Sequence, residues 1–249
     1  MRYWESTRMA SRESSTRRRV SGKWLALAAG GLAAIAAVAL WSGIFIITDV
    51  QFFGDGTIPQ DSLKRIRAGL IGGNLVTVSF SDAREALLAF PEVRDAVFVR
   101  HPWHAVECRV LKREPVALLV AGDILEVDGE GVIIPRRAGK GDIDLPVITG
   151  IDPREIGKRS AARSIECAVE ILGLFKKLGL SPAKQLSEIH ISGEDIDLVW
   201  MGTGTLIRLG RDQYAGRVRK LESVLGILND RERFPSVIDL RFDRQVVVR

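Results

Sequence analysis

The stretch Pro91-Glu92-Val93-Arg94-Asp95-Ala96-Val97-Phe98-Val99-Arg100, followed by Ala105-Val106-Glu107-Cys108-Arg109-Val110-Leu111-Lys112, reads as two strands. Both runs are read at the two-residue period of a half-buried strand. Val93, Val97 and Val99 are expected on one face of the first, and Val106, Cys108 and Val110 on one face of the second. His101-Pro102-Trp103-His104 has hairpin-loop composition. Upstream, Val50-Gln51-Phe52-Phe53-Gly54 reads as a further strand. Pro59 opens a helix through Ala68 that Gly72-Gly73 stops, and Ser81 is placed to cap a second helix that buries Ala86 and Leu87 and ends before Pro91. Strand, helix, helix, strand, strand describes a small α+β unit.

After Glu114-Pro115 the pattern changes to short strands separated by turns. Leu118 to Val127, the turn Asp128-Gly129-Glu130-Gly131 and Val132 to Pro135 predict a hairpin, and Leu145 to Gly150 closes a loop rich in Gly and basic residues. Helices are expected over Ala161–Leu178 and Asp212–Leu228, the latter with Tyr214, Val218, Leu221, Leu225 and Leu228 on one stripe. Between them lie Ile189-His190-Ile191, Ile196 to Met201, the turn Gly202-Thr203-Gly204 and Leu206 to Leu209. A strand over Val237–Asp243 follows, then Val246-Val247-Val248. Antiparallel pairing is expected to dominate this larger α+β domain.

From Trp24 to Thr48 no side chain is charged, a run of 25 residues, and a helix needs about 20 to cross a bilayer core. Trp24 and Trp41 lie toward its ends, where indole rings anchor at the membrane interface. The first 23 residues hold seven basic and two acidic side chains, the remainder 29 of each, so the net charge of +5 is a property of the tail. Basic residues flanking an apolar run act as a topology signal and place the N-terminus in the cytoplasm. Nucleic acid is set aside as a partner on the same ground. A cleaved signal peptide with a site at Ala37-Val38-Ala39 would leave Leu40-Trp41 and Ile44 to Ile47 as an apolar new terminus, so an uncleaved anchor is preferred. Cys108 and Cys167 both sit on apolar faces, Cys167 with Ile171, Leu174 and Leu178, and are read as buried thiols rather than a bridge.

No constellation of catalytic residues is visible. His101 and His104 flank a Pro-Trp turn with no carboxylate or thiol cluster beside them, and His190 alternates with Ile189 and Ile191 as a solvent-facing strand residue. Gly202-Thr203-Gly204 lacks the Lys-Ser/Thr of a phosphate loop, and Asp128-Gly129-Glu130-Gly131 is turn chemistry. No cofactor, metal or small-molecule substrate is expected.

The run Pro91 to Arg100, with Val106 to Val110 and Lys112-Arg113-Glu114-Pro115-Val116-Ala117, resembles the POTRA domain of the FtsQ/DivIB family. Val127-Asp128 to Gly131-Val132, Leu145-Pro146 to Gly150, Ile207-Arg208-Leu209-Gly210-Arg211 and Ile238-Asp239-Leu240-Arg241-Phe242 match, in order, that family's β domain. The resemblance implies an α+β fold in four parts: a cytoplasmic tail (1–23), a transmembrane helix (24–48), a POTRA-like domain (49–117) and a β domain (118–249). It also implies a non-enzymatic, single-pass inner-membrane scaffold at the division septum, with a periplasmic C-terminal part binding FtsB and FtsL. Other divisome proteins would bind through the POTRA unit or the transmembrane segment. By this resemblance Arg241, Phe242 and Arg211 become the partner-contacting residues. Each has a second reading: Arg241 in surface ion pairs with Asp239 and Asp243, Phe242 in the core in phase with Ile238 and Leu240, and Arg211 as an exposed residue flanking a helix. The rival functions are an anchored exported enzyme, which would need a nucleophile or metal cluster, and a POTRA-bearing secretion or assembly factor, which would show repeated units or a barrel-like run.

Overall fold

The computed structural model describes residues 22–41, 43, 45–54, 56–102, 104–136, 143–228 and 234–249. The arginine cluster of the tail, Trp103 of the hairpin loop and residues 137–142 of the Gly-rich loop lie outside them. The first helix, α1 (Gly22–Trp41), runs through most of the apolar segment. Counting described residues alone, no helix is long and apolar enough to cross a membrane. The side chains of Trp24 and Trp41 are not among those described.

A three-stranded sheet follows. Strand β1 (Asp49–Phe53) is followed by helices α2 (Gln60–Leu70) and α3 (Ser81–Leu88), then by the hairpin β2 (Val93–His101) and β3 (Ala105–Lys112). The order is β1-β3-β2, with β1 parallel to β3 and β2 antiparallel to it. Val106, Cys108 and Val110 are all buried, as their alternation requires. The first strand of the hairpin departs from its expected face. A bulge between Val93 and Asp95 adds one residue, and a one-residue slip exchanges the faces. Val93 and Ala96 are buried and Phe98 packs on the core, while Val97 and Val99 face solvent, 44 % and 36 % exposed. Ser81 does not cap α3 either. It is the first helical residue, and its hydroxyl bonds Ser79 Oγ and donates to the Asp82 carboxylate. Burial on α3 falls on Ala83 and Leu87, one turn apart, and Ala86 is exposed.

The chain passes to the second sheet between Lys112 and Pro115. Strands β4 (Pro115–Ala121), β5 (Asp123–Asp128), β6 (Ile133–Ile134) and β7 (Val147–Thr149) precede α4 (Arg159–Lys177) and the short α5 (Pro182–Gln185). Strands β8 (Leu186–Ser192), β9 (Asp195–Trp200) and β10 (Leu206–Gly210), helix α6 (Tyr214–Leu228), and β11 (Val237–Asp239) and β12 (Val247–Val248) complete it. The order is β12-β11-β10-β9-β8-β7-β4-β5-β6. Antiparallel pairs predominate, but β10 and β11, β7 and β8, and β4 and β7 run parallel, so the sheet is mixed. The run expected as one strand over Leu118–Val127 is itself a hairpin, turning at Gly122, whose φ of +78° suits glycine.

Helices α4 and α6 cover one face of this sheet. Ile165, Ile171, Phe175, Val218 and Leu221 pack against Leu119, Ile148, Ile189, Leu198, Ile207 and Ile238, all essentially without solvent exposure. The stripe expected on α6 is buried at every position. On α4 the buried line runs through Ala161, Ile165, Ala168, Leu172 and Phe175, which leaves Cys167 half-buried at its margin rather than in the core. Cys108 is buried, and neither cysteine is in a disulfide.

Among the described residues, three ion pairs join the two units. Arg113 donates to Asp128 at 2.5 Å and to Glu130 at 2.8 Å, and Arg94 of β2 reaches the same Glu130 at 2.8 Å. Burial pushes the Asp128 carboxyl up, but the Arg113 hydrogen bond and the Val132 and Glu130 amides outweigh it and hold the group below its ordinary value.

Candidate partner-binding edge

The uncovered face of the large sheet carries a row of polar side chains. Thr149, His190, Asp197, Arg208 and Asp239 stand directly opposite one another on five successive strands, from β7 through β8, β9 and β10 to β11. Residues in register share a face, so the row follows from the alternation in Ile189-His190-Ile191, Ile196-Asp197-Leu198 and Ile207-Arg208-Leu209, whose apolar members enter the core. His190 shares the Thr149 hydroxyl at 2.8 Å.

At the end of the row lies the β11–β12 edge. Val237 and Arg249 exchange both backbone bonds, at 3.1 and 3.0 Å. In an antiparallel ladder adjacent residues aim their amides and carbonyls in opposite directions. The N–H and C=O of Val248 therefore point away from β11, along the open edge. Val248 is 44 % exposed, as is Phe242.

The strand expected over Val237–Asp243 stops at Asp239. Leu240 adds one more bond, its N–H donating to the Arg208 carbonyl at 3.0 Å, and the chain then bends away. Lys220 of α6 holds the bend, its Nζ donating to the carbonyls of Phe242 at 3.1 Å and Asp243 at 2.6 Å. Phe242 accordingly leaves the core phase of Ile238 and Leu240 and stands in solvent beside a cleft of about 230 Å³. That cleft is lined by Arg208, Asp239, Arg241, Phe242, Val247 and Arg249.

Arg241 is already engaged. Its Nη2 and Nε fork onto the Asp239 carboxylate at 2.7 and 3.0 Å, and its amide donates to the same group. Those hydrogen bonds hold Asp239 below the ordinary carboxylate value against the opposing effect of burial, and they raise Arg241. Asp197 moves the other way: burial raises it, and Arg208 and Arg241 offset only part of the effect. The Arg208 side chain lines the same cleft and makes no hydrogen bond among the described residues. It and Arg249 are the cations that reading the motif for its last arginine overlooked. Their signal lay in strand alternation, since Arg208 is the polar residue between Ile207 and Leu209.

Gly210 explains the turn that follows. It has φ +75°, and a Cβ there would lie 2.6 Å from Arg217 Nη1 and 3.0 Å from Arg241 Cγ, so two arginine side chains pass against its backbone. Arg217, on the helix surface by simple periodicity, is 8 % exposed and donates to the Leu209 carbonyl and Asp212. Arg211 points elsewhere. It is largely exposed, 3.4 Å from Glu194, and lines a separate cavity with Arg163, Cys167 and Tyr214 that shares no residue with the cleft. The structure thus brings Arg241 and Phe242 together and leaves Arg211 apart. Among the described residues no group of His, Cys, Asp or Glu is arranged to hold a metal ion.

Residues 117–241 match the family model described as cell division protein FtsQ/DivIB, C-terminal. The chain is 30 % identical over 210 residues to the cell division protein FtsQ of Anaeromyxobacter sp. (strain K), covering 82 % of this chain and 71 % of that one. It is 29 % identical over 213 residues to the FtsQ of Myxococcus fulvus, covering 84 % and 74 %. To that of Geotalea daltonii it is 24 % identical over 238 residues, covering 88 % and 85 %. A mixed α+β chain with these relatives is a cell-division protein. It belongs to the FtsQ/DivIB family.

Proposed function

We propose that the chain is a non-enzymatic, single-pass scaffold of the division machinery. Its apolar segment, with Trp24 and Trp41 toward the ends, anchors it in the inner membrane with the N-terminus in the cytoplasm. The small α+β unit is its POTRA domain, and the large sheet binds the periplasmic parts of FtsB and FtsL at the septum.

The observation that carries the reading is the outward-facing backbone of Val248 at the end of the large sheet. Such an edge takes a partner strand by main-chain hydrogen bonding, and neighbouring side chains supply selectivity. Phe242 and Val248 offer apolar contact there. Arg208 and Arg249, together with Arg241, give the cleft a positive surplus over Asp239, which suits an acidic residue on the incoming strand.

Val248→Pro removes one outward donor while leaving the bonds between Val237 and Arg249 intact. Full-length protein in nanodiscs, titrated with the periplasmic FtsB–FtsL complex, is expected to lose at least about tenfold in affinity with this substitution, and its urea midpoint should hold. Unchanged affinity would remove the edge from the binding surface.

A further inference from the structure

The end of the small sheet nearest α1 carries an apolar rim. Three segments build that end: residues 45–48 ahead of β1, the loop 71–76 after α2, and the tip of the β2–β3 hairpin. Ile47 donates to the Gly73 carbonyl and accepts from the Gly72 amide, both at 2.9 Å, and the Leu75 amide donates to Phe45. Thr48 donates to the His104 carbonyl at 3.0 Å, and Arg100 donates to the carbonyls of Leu75 and Val78 at 2.8 and 2.9 Å. Fixed in this way, the segments leave Ile46, Ile71 and Val76 outward, 41 %, 47 % and 53 % exposed, while Ile47 between them is buried.

Geometry names what covers the rim. Helix α1 ends at Trp41, four residues before Phe45. Four residues reach at most about 14 Å when fully extended, and the polar layer on each side of a bilayer core is about 5–8 Å thick. A rim tethered this closely to a spanning helix stays at the membrane surface, whatever the tilt of the rest. Aliphatic side chains at that depth are more stable among acyl ends than in water. We infer that Ile46, Ile71 and Val76 bed the small sheet into the headgroup–acyl boundary of the leaflet facing the periplasm, so that the unit stands on the bilayer. The inference rests on the membrane-spanning reading of α1.

A benzophenone amino acid placed singly at Ala34, Phe53, Ile71 or Val76 tests it in the full chain. All four positions are exposed, and Phe53 lies at the far end of β1 as the control. The chain is reconstituted in nanodiscs of phosphatidylcholine and phosphatidylglycerol, irradiated and analysed by mass spectrometry. Lipid adducts are expected at positions 34, 71 and 76 and not at 53. Adducts at 34 alone would overturn the bedding and leave the anchor standing. Their absence from 34 would overturn the anchor and the bedding with it. A protein adduct replacing lipid at 71 and 76 in whole membranes would assign the rim to a partner instead.

Discussion

The guanidinium of Arg241 closes on the carboxylate of Asp239, two residues earlier in the chain, rather than on anything outside it. Asp239 is 8 % exposed, so reversing the charge at position 241 strands a buried carboxylate as well as altering the surface. Leaving such a group unpaired costs about 1–3 kcal/mol. Arg241→Glu is therefore expected to lower the urea midpoint of the full chain, and adding Asp239→Asn should recover part of the loss. A midpoint unmoved by Arg241→Glu would show that the fork contributes nothing. Phe242→Ala, by contrast, should leave the midpoint close to that of the parent while weakening partner binding.

The two carboxylates in the polar row respond to pH with opposite sign. Asp239 titrates below its unfolded value, so its contribution to stability is complete above about pH 4 and is lost as pH falls through the folded value. Asp197 titrates above its unfolded value, so ionising it opposes folding once pH rises past about 4. Asp197→Asn is expected to raise the urea midpoint at pH 7 and to have no effect near pH 3, where the parent carboxyl is protonated in both states. A lower midpoint at pH 7 would mean that pairing with Arg208 outweighs burial.

Removing Arg113 isolates Asp128, whose side chain is only 4 % exposed, from its cation at the junction of the sheets. Arg113→Ala is expected to cost about 3–5 kcal/mol. Asp128→Asn should cost less, because the Glu130 and Val132 amides still find an acceptor. Urea unfolding of both variants ranks them, and equal losses would contradict the assignment of the charge as the larger element.

Gly150 has φ +87°, and a Cβ there would lie 1.9 Å from the Ile191 carbonyl oxygen. Gly193 also has positive φ, +64°, but open space around it. Gly150→Ala is expected to cost well over about 2 kcal/mol and Gly193→Ala about 1 kcal/mol, which thermal or urea unfolding would separate.

Much of the architecture was legible from alternation and spacing. The inward faces of Val106, Cys108 and Val110, the order of elements in the small unit and the buried stripe of α6 all follow from local pattern. The failures share a cause in single-residue geometry. The bulge after Val93 exchanged the faces of Val97 and Val99, a turn at Gly122 cut one expected strand in two, and the early end of β11 moved Phe242 into solvent. None of these changes composition, and periodicity cannot register one added or dropped residue. At the edge, the motif drew attention to its final arginine, Arg211, whereas the cleft contains Arg208. Which arginines meet depended on register across β9, β10 and β11, which no local window contains.

Strand β3 begins beside the segment that follows α1 and ends one residue before Arg113, the side chain tied into the large sheet. Its eight residues, at about 3.4 Å each, hold those two points about 27 Å apart. The small unit is in this sense a ruler, stiff where a linker would be slack. On the proposed reading of α1 as the membrane anchor, it sets the starting height of the large sheet, so a protein that docks there from its own anchor would carry its binding segment at a matching distance. Length would then discriminate between partners as chemistry does, and inserting or deleting a few residues between a partner's anchor and its binding strand would disengage it without touching a single contact.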